Sequence, residues 1–375
     1  MVAKFTPVWT NVNNNAGGCL GMCNSRQFYV CRIMKEVPGD NNRFVVAHQV
    51  QGRFNSPSAR MPNQQISLVA LCNENRSARI KIVVQDAMTN YTFNESTTTV
   101  NDLCNGKTTL DCGSGCNVLL DQFQVITKPK FTDYLRAGWE ISMTAAIDYT
   151  ASNGEPSHPN SLHALGPNNQ YINALSSVGY IVEPYDNDRM FPTFGFGGMH
   201  RGMGMSSVSH CFPINGSPDP NIPGIAAMVQ TYQQTLPQIS LQGPTYFGPI
   251  LNEFLMMLRS QQGKSSYNIL LILTDGAIHD MAATKDAIYQ LADLPCSIII
   301  IGVGNADFGM MEELDGDDEG LRNSMGQLVP RDIVQFVEFN KCIARGNLNE
   351  EVLKEVPNQV CSFMERAGIQ PVALE

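Results

Sequence analysis

Three nearly continuous apolar runs, at residues 140–148, 267–275 and 296–304, constrain the fold of this chain more than any other feature of its sequence. A strand that is apolar on both sides must be buried on both faces, and parallel sheets require such burial. Helix-length segments lie between and after these runs, at residues 222–236, 247–259, 280–294 and 348–365. Strands that alternate with helices predict a doubly wound α/β domain with a mostly parallel sheet.

The first 126 residues have a different pattern. Short β-like runs lie between clusters of Gly, Asn, Asp and Ser, at residues 28–33, 44–50, 66–71 and 79–84. This pattern is typical of an antiparallel β-sandwich, and the length suits one sandwich. Pro129 follows these runs and cannot continue a strand ladder. We therefore predict a multidomain chain, with the sandwich at residues 1–126, a linker at 127–134 and the α/β domain at 135–375.

The charge of the chain is negative and unevenly distributed. The net charge is −10, although residues 1–125 carry 11 Lys and Arg against 8 Asp and Glu. The acidic remainder argues against nucleic acid as a partner. No apolar stretch reaches the ~20 residues that span a bilayer, and the N-terminus has no apolar core of signal-peptide length. We expect a cytoplasmic protein with reduced cysteines, with a peripheral membrane or cytoskeletal assembly as further settings.

Two of the apolar runs end in an aspartate, Asp148 and Asp275. The carboxyl ends of parallel strands meet at one edge of an open α/β sheet, where ligands bind. Thr150 and Ser152 follow Asp148, and alternate residues of an extended loop point the same way. A third hydroxyl, that of Thr245, precedes a predicted helix. Carboxylate and hydroxyl oxygens suit a hard cation, so these five residues predict a site for Mg2+ or Mn2+.

The alternative interpretation is that Asp148 and Asp275 cap helices at the ends of their strands, which is a common use of aspartate. Such a role would explain either aspartate by itself. It would not explain why hydroxyl residues occur in register with both of them. We therefore favour the metal site.

These residues and the segments around them resemble the copine family. The pattern Asp148-x-Thr-x-Ser152, a remote Thr245 and Thr-Asp-Gly at 274–276 are similar to the metal-ion-dependent adhesion site of von Willebrand A domains. The first motif of that site is usually Asp-x-Ser-x-Ser, so Thr150 replaces a serine. Longer segments resemble copines more closely, at residues 147–163, 185–198, 314–318 and 331–337. The resemblance extends from residue 131 to about residue 371.

The resemblance implies a role for each of the five residues. Asp148, Ser152 and Thr245 would coordinate the ion directly. Thr150 would coordinate it or support the site, and Asp275 would act through water. In related A domains an acidic side chain of the partner completes the coordination shell, and occupancy is coupled to a shift of a loop and a helix. The resemblance therefore implies an adaptor that binds an acidic protein partner.

Copines also resemble proteins with C2 domains, which are β-sandwiches that bind calcium and phospholipid. The first domain of this chain resembles a C2 domain but departs from the pattern in its calcium loops. Arg26 stands where an aspartate is usual, Met88 replaces another, and the loop at residues 15–21 has no acid. Asp86 remains, but one carboxylate cannot supply the 6–8 oxygens that Ca2+ takes. We therefore expect no calcium in this domain.

Basic residues could still bring the first domain to an anionic membrane surface. The residues that would bind lipid, here called the basic set, are Arg26, Arg32, Lys35, Arg79 and Lys81. The alternative interpretation is that they are ordinary solvated side chains. In that case the sandwich would be a docking or structural element.

No motif of the sequence indicates an enzyme. The chain lacks a phosphate-binding P-loop, the nucleophile elbow of hydrolases and a His-Glu-x-x-His pair. His158 and His163 follow the predicted metal residues, and surface or supporting roles are favoured for both. Cys211 lies beside His210, but no third member of a catalytic triad can be named.

Three functions therefore follow, in descending order of support. The first is a protein-binding adaptor that is not an enzyme. The second is a peripheral membrane adaptor that binds phospholipid through the first domain. The third is a structural subunit of a larger assembly. The sequence does not define an oligomeric state.

Overall fold

The computed structural model describes residues 1–10, 29–50, 58–112, 116–316 and 320–372. The chain divides into two compact units, Met1–Lys128 and Pro129–Glu375. This division falls inside the segment 127–134 that the sequence analysis assigns to a linker. A helix, Phe131–Arg136, begins within that segment, and its Tyr134 is buried in the core of the second unit.

The first unit is built from two antiparallel sheets. Its elements in the described residues are β1 (Val2–Thr10), β2 (Tyr29–Val37), β3 (Asp40–Gln49), β4 (Ala59–Arg60), β5 (Gln64–Ser67), α1 (Leu68–Cys72), β6 (Arg79–Asp86), β7 (Thr92–Thr99), α2 (Val100–Cys104), β8 (Thr109–Asp111) and β9 (Asn117–Ile126). One sheet has the order β3-β2-β6-β7, and the other has β4-β1-β9-β8 with β5 paired to β1. Phe5 and Trp9 of β1 share a hydrophobic cluster with Ile33 of β2 and Ile82 of β6. The predicted β-sandwich is confirmed.

The predicted strand at residues 66–71 is wrong beyond Ser67, because helix α1 begins at Leu68. Ser67 caps this helix by accepting a hydrogen bond from the Ala70 amide at 3.1 Å. Leu68 and Leu71, which are neighbours on the helix surface, are both buried. A short apolar run does not by itself distinguish a strand from a helix, and the serine cap decides the outcome here.

The second unit has a mostly parallel central sheet. Its elements in the described residues are α3 (Phe131–Arg136), β10 (Glu140–Asp148), α4 (Gln170–Val182), β11 (Met190–Phe196), β12 (Gly198–His200), β13 (Phe212–Pro213), β14 (Asn221–Pro223), α5 (Ile225–Thr235), β15 (Ile239–Leu241), α6 (Gly248–Ser260), β16 (Ser266–Thr274), α7 (Met281–Leu291), β17 (Cys296–Gly302), α8 (Gly309–Asp315), β18 (Val334–Glu338), α9 (Phe339–Arg345), α10 (Leu348–Val352) and α11 (Val356–Arg366). The strand order is β13-β11-β10-β16-β17-β18, with β14 also paired to β11. Strands β10, β11, β16, β17 and β18 are parallel, and β13 and β14 are antiparallel to β11.

Side chains of the central strands alternate between two hydrophobic clusters. In β16, Ile269, Leu271 and Leu273 pack in a cluster with α4, α5 and α11. Leu270 and Ile272 of the same strand pack in a second cluster with α6, α7 and α8. Helices thus cover both faces of the sheet, which is why the strand is apolar at every position from 269 to 273. The predicted doubly wound α/β fold is confirmed.

Three of the four predicted helices are present close to their expected bounds, as α5, α6 and α7. Helix α5 begins at Ile225 because residues 221–223 pair with β11 as β14. The fourth prediction, at 348–365, is divided into α10 and α11 by a break at residues 353–355. Pro357 lies in the first turn of α11, where its missing N–H leaves no bond unmade, whereas inside a continuous helix it would clash.

A helix that spans a bilayer needs about 20 mostly apolar residues. Among the described residues, no helix combines that length with that apolarity.

Leu271→Ala is expected to lower the free energy of unfolding by about 2–5 kcal/mol, because it leaves a cavity in the buried face of β16. Chemical denaturation of the full chain, followed by circular dichroism at the helix bands, measures this loss. Met256→Ala in α6 is the control, because Met256 is 58% exposed and its truncation should change stability by less than about 0.5 kcal/mol. Equal effects of the two substitutions would contradict the packing described here.

Candidate metal centre

The predicted metal residues lie at the carboxyl edge of the parallel sheet. Asp148 is the last residue of β10, and Asp275 follows Thr274, the last residue of β16. These two strands are neighbours. The chain leaves β10 toward β11 on one side and later continues through β16 on the other side. Ligands bind at such a reversal of strand order, because the loops diverge there and leave a crevice.

Asp148 is fully buried and accepts hydrogen bonds at both carboxylate oxygens. Its Oδ1 accepts from the Thr150 amide at 2.8 Å and from the Thr150 hydroxyl at 2.6 Å. Its Oδ2 accepts from the Thr274 hydroxyl at 2.7 Å. These three bonds fix the orientation of the carboxylate. Thr274 belongs to the Thr-Asp-Gly pattern at 274–276, and that position is its one signal in the sequence.

Ser152 and Asp275 complete a group that we call the Asp148 cluster (Asp148, Thr150, Ser152 and Asp275). The Ser152 hydroxyl lies 2.9 Å from the hydroxyl of Thr150. The Ser152 side chain lies near the Asp275 carboxylate and acts to lower the pKa of that group. Ser152 is exposed, whereas Asp148 has no exposed surface. The cluster therefore opens to solvent on the side of Ser152.

Two carboxylates in one buried cluster repel each other. Burial, and next the charge of Asp275, raise the pKa of Asp148 to about 7, despite hydrogen bonds from Thr150 and Thr274. Burial also raises the pKa of Asp275. Within the described ranges, neither carboxylate forms an ion pair with a Lys or Arg. Buried charges need a partner of opposite charge or a metal, and this all-oxygen donor set fits a hard divalent cation.

Thr245 lies in a loop that contacts the segments on both sides of the cluster. Gln242, at the start of this loop, accepts a hydrogen bond from the Ala151 amide at 2.6 Å. The Thr245 carbonyl accepts from the His279 amide at 2.9 Å, and the Thr245 amide donates to His279 Nδ1 at 3.3 Å. The structure thus brings the Thr245 backbone next to the loop that follows Asp275. The other four predicted residues contact one another through their side chains.

Two glycines allow the backbone to pack closely against the loop after β10. Gly197 has a φ of +70°, and a Cβ atom there would lie 2.3 Å from Cγ2 of Thr150. A Cβ atom on Gly198 would lie 2.9 Å from Cβ of Tyr149. Both distances exclude a side chain. The glycine-rich run after β11 is therefore required for the position of Thr150.

A buried histidine supports the Asp148 cluster from the protein interior. The His163 ring stacks between Tyr149 and Tyr171, with centroids 5.2 and 4.4 Å away. Its Nε2 lies 2.9 Å from the Asp148 carbonyl, and its Nδ1 lies 2.8 Å from the Tyr232 hydroxyl. Since a carbonyl only accepts, Nε2 donates to Asp148 and Nδ1 accepts from Tyr232. Burial lowers the pKa of His163 to about 4, so the ring is neutral at physiological pH.

Asn153 connects the stacked rings of Tyr149, His163 and Tyr171 to the loop at residues 148–152, here called the ligand loop. Its Nδ2 donates to the Thr150 carbonyl at 3.2 Å, and its Oδ1 accepts from the Tyr171 hydroxyl at 2.5 Å. Neither Asn153 nor Tyr171 is among the residues predicted from the sequence. For His163 a surface or supporting role is predicted, and the structure shows the supporting one. Only the folded structure brings these residues together, because α4 carries Tyr171 from a separate part of the sequence.

Two members of the basic set in the first unit are paired with acids. The Arg79 guanidinium forms an ion pair with Glu36 at 2.7 Å, and the Lys81 amine forms one with Glu95 at 3.0 Å. Both cations also lie over the Phe44 ring, at 5.5 and 4.9 Å from its centroid. These ion pairs reduce the positive charge that Arg79 and Lys81 can offer to an anionic surface.

The other members of the basic set contact neutral groups or lie outside the described residues. Arg32 donates to the side chain of Gln49 at 2.8 Å, and Lys35 donates to Asn73 at 2.8 Å. Arg26 falls in the segment 11–28, which lies outside the described residues. Lipid binding by this set stays a prediction.

Asp86, the remaining acid of the calcium loops, is hydrogen-bonded within its own turn. Its Oδ1 accepts from the amides of Met88 and Thr89 at 2.9 and 2.7 Å, and from the Thr89 hydroxyl at 3.0 Å. In the part of the chain that the structure describes, no group of three or more His, Cys, Asp or Glu could hold a metal ion. The Asp148 cluster is of a different kind, because it combines two carboxylates with hydroxyls. That the first unit binds no calcium stays a prediction.

The architecture defines the chain as a C2-like β-sandwich followed by a von Willebrand A-type α/β domain. The sequence model of the Copine family matches residues 161–372, which is more than half of the chain. The chain therefore belongs to the copine family. The match begins after the loop that carries Asp148 and Ser152, so the arrangement of those two residues is known here from the structure.

Solved structures with similar folds include A domains and a C2 domain. The manganese-loaded TRAP protein of Plasmodium vivax has 13% identity and a TM-score of 0.36, over 55% of this chain and 71% of that one. The SpRpn10 VWA domain has 9% identity and a TM-score of 0.37, over 56% and 96%. BON1-C2B has 10% identity and a TM-score of 0.27, over 34% and 92%. The similarities are low, and the fold assignment rests on the strand order and packing described above.

Tyr171→Phe is expected to lower the free energy of unfolding by about 1–3 kcal/mol, because it leaves the buried Asn153 Oδ1 without its hydroxyl donor. Tyr180→Phe is the matched control in the same helix, since Tyr180 is 53% exposed. Thermal unfolding of the full chain, followed by circular dichroism, compares the two variants. A Tyr171→Phe variant as stable as the control would show that the network does not support the loop.

Proposed function

We propose that this chain is a non-enzymatic adaptor that binds a protein partner through a divalent cation held at the Asp148 cluster. The observation that carries this proposal is the pair of buried carboxylates, Asp148 and Asp275, which are surrounded by hydroxyl groups. Neither has an ion-pair partner among the residues described. A divalent cation would offset their mutual repulsion. Membership of the copine family agrees with an adaptor that acts through protein interaction.

Five residues would hold the ion in this proposal. Asp148, Ser152 and Thr245 would coordinate it directly. Thr150 would coordinate it or orient Asp148, and Asp275 would act through water. These oxygen donors suit Mg2+ or Mn2+, and Mg2+ usually keeps several waters that a ligand can displace. When bound, the cation supplies a Lewis-acidic position that an Asp or Glu side chain of the partner occupies.

The groups near the cluster favour binding over catalysis. His163 has both ring nitrogens engaged, and its pKa of about 4 makes it a poor proton carrier at neutral pH. Burial raises the pKa of the Cys211 thiol to about 12, so the nucleophilic thiolate is scarce. Neither group is suited to acid–base or nucleophilic chemistry at physiological pH.

We propose that the protein acts in the cytoplasm and binds an acidic protein partner. The nine cysteines of the described residues are all unpaired thiols, which persist in a reducing compartment. A peripheral membrane role through the first unit is supported less, because Arg79 and Lys81 are already paired with Glu36 and Glu95. The acidic charge of the second unit disfavours nucleic acid.

The wild type and the Asp148→Asn variant are expected to exchange their order of stability when Mg2+ is added. Without Mg2+ the variant should be at least as stable as the wild type, because it removes one of two repelling carboxylates. With Mg2+ at about 100 times the dissociation constant, the wild type should gain about 2.7 kcal/mol and the variant should gain much less. Thermal unfolding and calorimetric titration of the full chain measure the two effects.

Asp293→Asn is the control for this comparison, because Asp293 is an exposed acid that pairs with Arg366 away from the cluster. This variant should take up Mg2+ as the wild type does. Equal Mg2+ uptake by the wild type and by Asp148→Asn would overturn the proposed metal site.

Protein capture tests the adaptor function separately from metal uptake. The immobilised wild-type chain should retain specific proteins from a cytoplasmic extract in Mg2+ and release them when the metal is chelated. The Asp148→Asn chain should not retain them, and the Asp293→Asn chain should. Partners that bind all three chains equally, with or without chelator, would exclude a metal-mediated contact.

A further inference from the structure

A cleft of about 590 Å3 opens in the second unit. One wall is the segment that follows Ser152 and Asn153, from Glu155 to Pro159. The opposite wall is β15 with the turn before it, including Pro237 and Ser240. The cleft thus begins where the ligand loop ends. No residue of this cleft belongs to the set that the metal site requires.

Hydrogen bonds connect the ligand loop to one end of this cleft. The Ala151 amide, between Thr150 and Ser152, donates to the Gln242 carbonyl at 2.6 Å. The Gln242 side chain donates to the Ser240 hydroxyl in the wall at 3.2 Å. The near end of the cleft therefore lies next to the ligand loop.

Arg201 marks the far end of the cleft. Strand β12 pairs with β15 so that His200 lies opposite Ile239, which places Arg201 beyond that pair. Along this wall, four residues separate Gln242 from the position that is level with Arg201. An extended strand rises about 3.3 Å per residue, so the two ends lie on the order of 13 Å apart.

Apolar side chains form part of the lining between these ends. Leu236 and Ile239 are buried beneath the cleft, Pro237 lies in one wall, and Leu165 is 52% exposed within it. Apolar lining with a few placed polar groups is the usual composition of a ligand site.

The lining contains one positively charged residue, Arg201, and one negatively charged residue, Glu155. Arg201 is exposed and forms no ion pair within the described part of the chain. The other ionisable residues of the lining are His158 and a single acid, Glu155. A ligand that reached from the metal to Arg201 would meet a positive charge at each end.

We propose that this cleft binds an extended segment of the partner protein that carries two acidic residues about four positions apart. This inference rests on the proposed metal-dependent adaptor function and defines its partner. The first acid would bind the cation, the second would pair with Arg201, and apolar side chains between them would lie against Leu165 and Pro237. An extended chain covers about 13 Å with four residues, whereas a helix needs about nine and has a diameter of 10–12 Å.

Two synthetic peptides of equal composition test the spacing. The first has the sequence Asp-Leu-Pro-Leu-Asp and the second Asp-Asp-Leu-Pro-Leu, each with blocked ends and a fluorescent label. Fluorescence anisotropy with the full chain in saturating Mg2+ should show about fivefold tighter binding of the first peptide. Fivefold is the upper range for one exposed ion pair. Chelation of Mg2+ should abolish the binding of both.

Substitution of Arg201 tests the far end of the cleft. Arg201→Ala should remove the preference for the first peptide and leave Mg2+ uptake by calorimetry unchanged. Arg345→Ala, which removes an exposed arginine outside the cleft, should keep the preference. Leu165→Ala should weaken the binding of both peptides.

Several results would overturn the proposed peptide binding in the cleft and leave the proposed metal site unaffected. They are equal affinity for the two peptides, a preference that survives Arg201→Ala, or normal Mg2+ uptake without binding of either peptide. The last result would leave a helical segment or a small molecule as the occupant. If the wild type itself takes up no Mg2+, the proposed function is overturned, and the cleft proposal with it.

Discussion

The repulsion between Asp148 and Asp275 is the interaction on which the rest of this structure depends. Two carboxylates share a buried edge of the sheet, and burial raises the pKa of both. A protein does not gain stability from such a pair, and replacing one acid by a neutral residue would remove the cost. In the proposed function, a cation offsets this cost, and the hydroxyl groups of Thr150 and Ser152 are additional oxygen donors.

The fold positions this pair through elements that lie far apart in the sequence. Strands β10 and β16 bring the two aspartates to neighbouring positions, because their register aligns Ile147 with Leu273. The glycine-rich run after β11 lets the ligand loop approach, and His163 holds the Asp148 carbonyl from inside. Each of these contacts is buried. The segment that follows Ser152 and Asn153 forms one wall of the cleft.

The sequence predicted the features that have a periodic or local signal. Continuous apolar runs predicted strands buried on both faces, and β16 shows such burial. The same reasoning failed at residues 66–71, where the capping hydroxyl of Ser67 starts a helix, and at Pro357, which divides the last predicted helix. Asn153 and Tyr171 could not be predicted, because their contact depends on how α4 packs against the sheet. Thr245 was chosen by its hydroxyl and its place before a helix, and whether it binds the ion stays a prediction.

Diffraction from crystals grown with Mn2+ tests the central claim most directly, because the anomalous signal of manganese locates the ion without assumption about its ligands. We expect one strong anomalous peak in the second unit, within coordination distance of the Asp148 and Ser152 oxygens, and we expect Asp148→Asn crystals to lack it. A peak elsewhere in that unit, or no peak at saturating Mn2+, would contradict the claim.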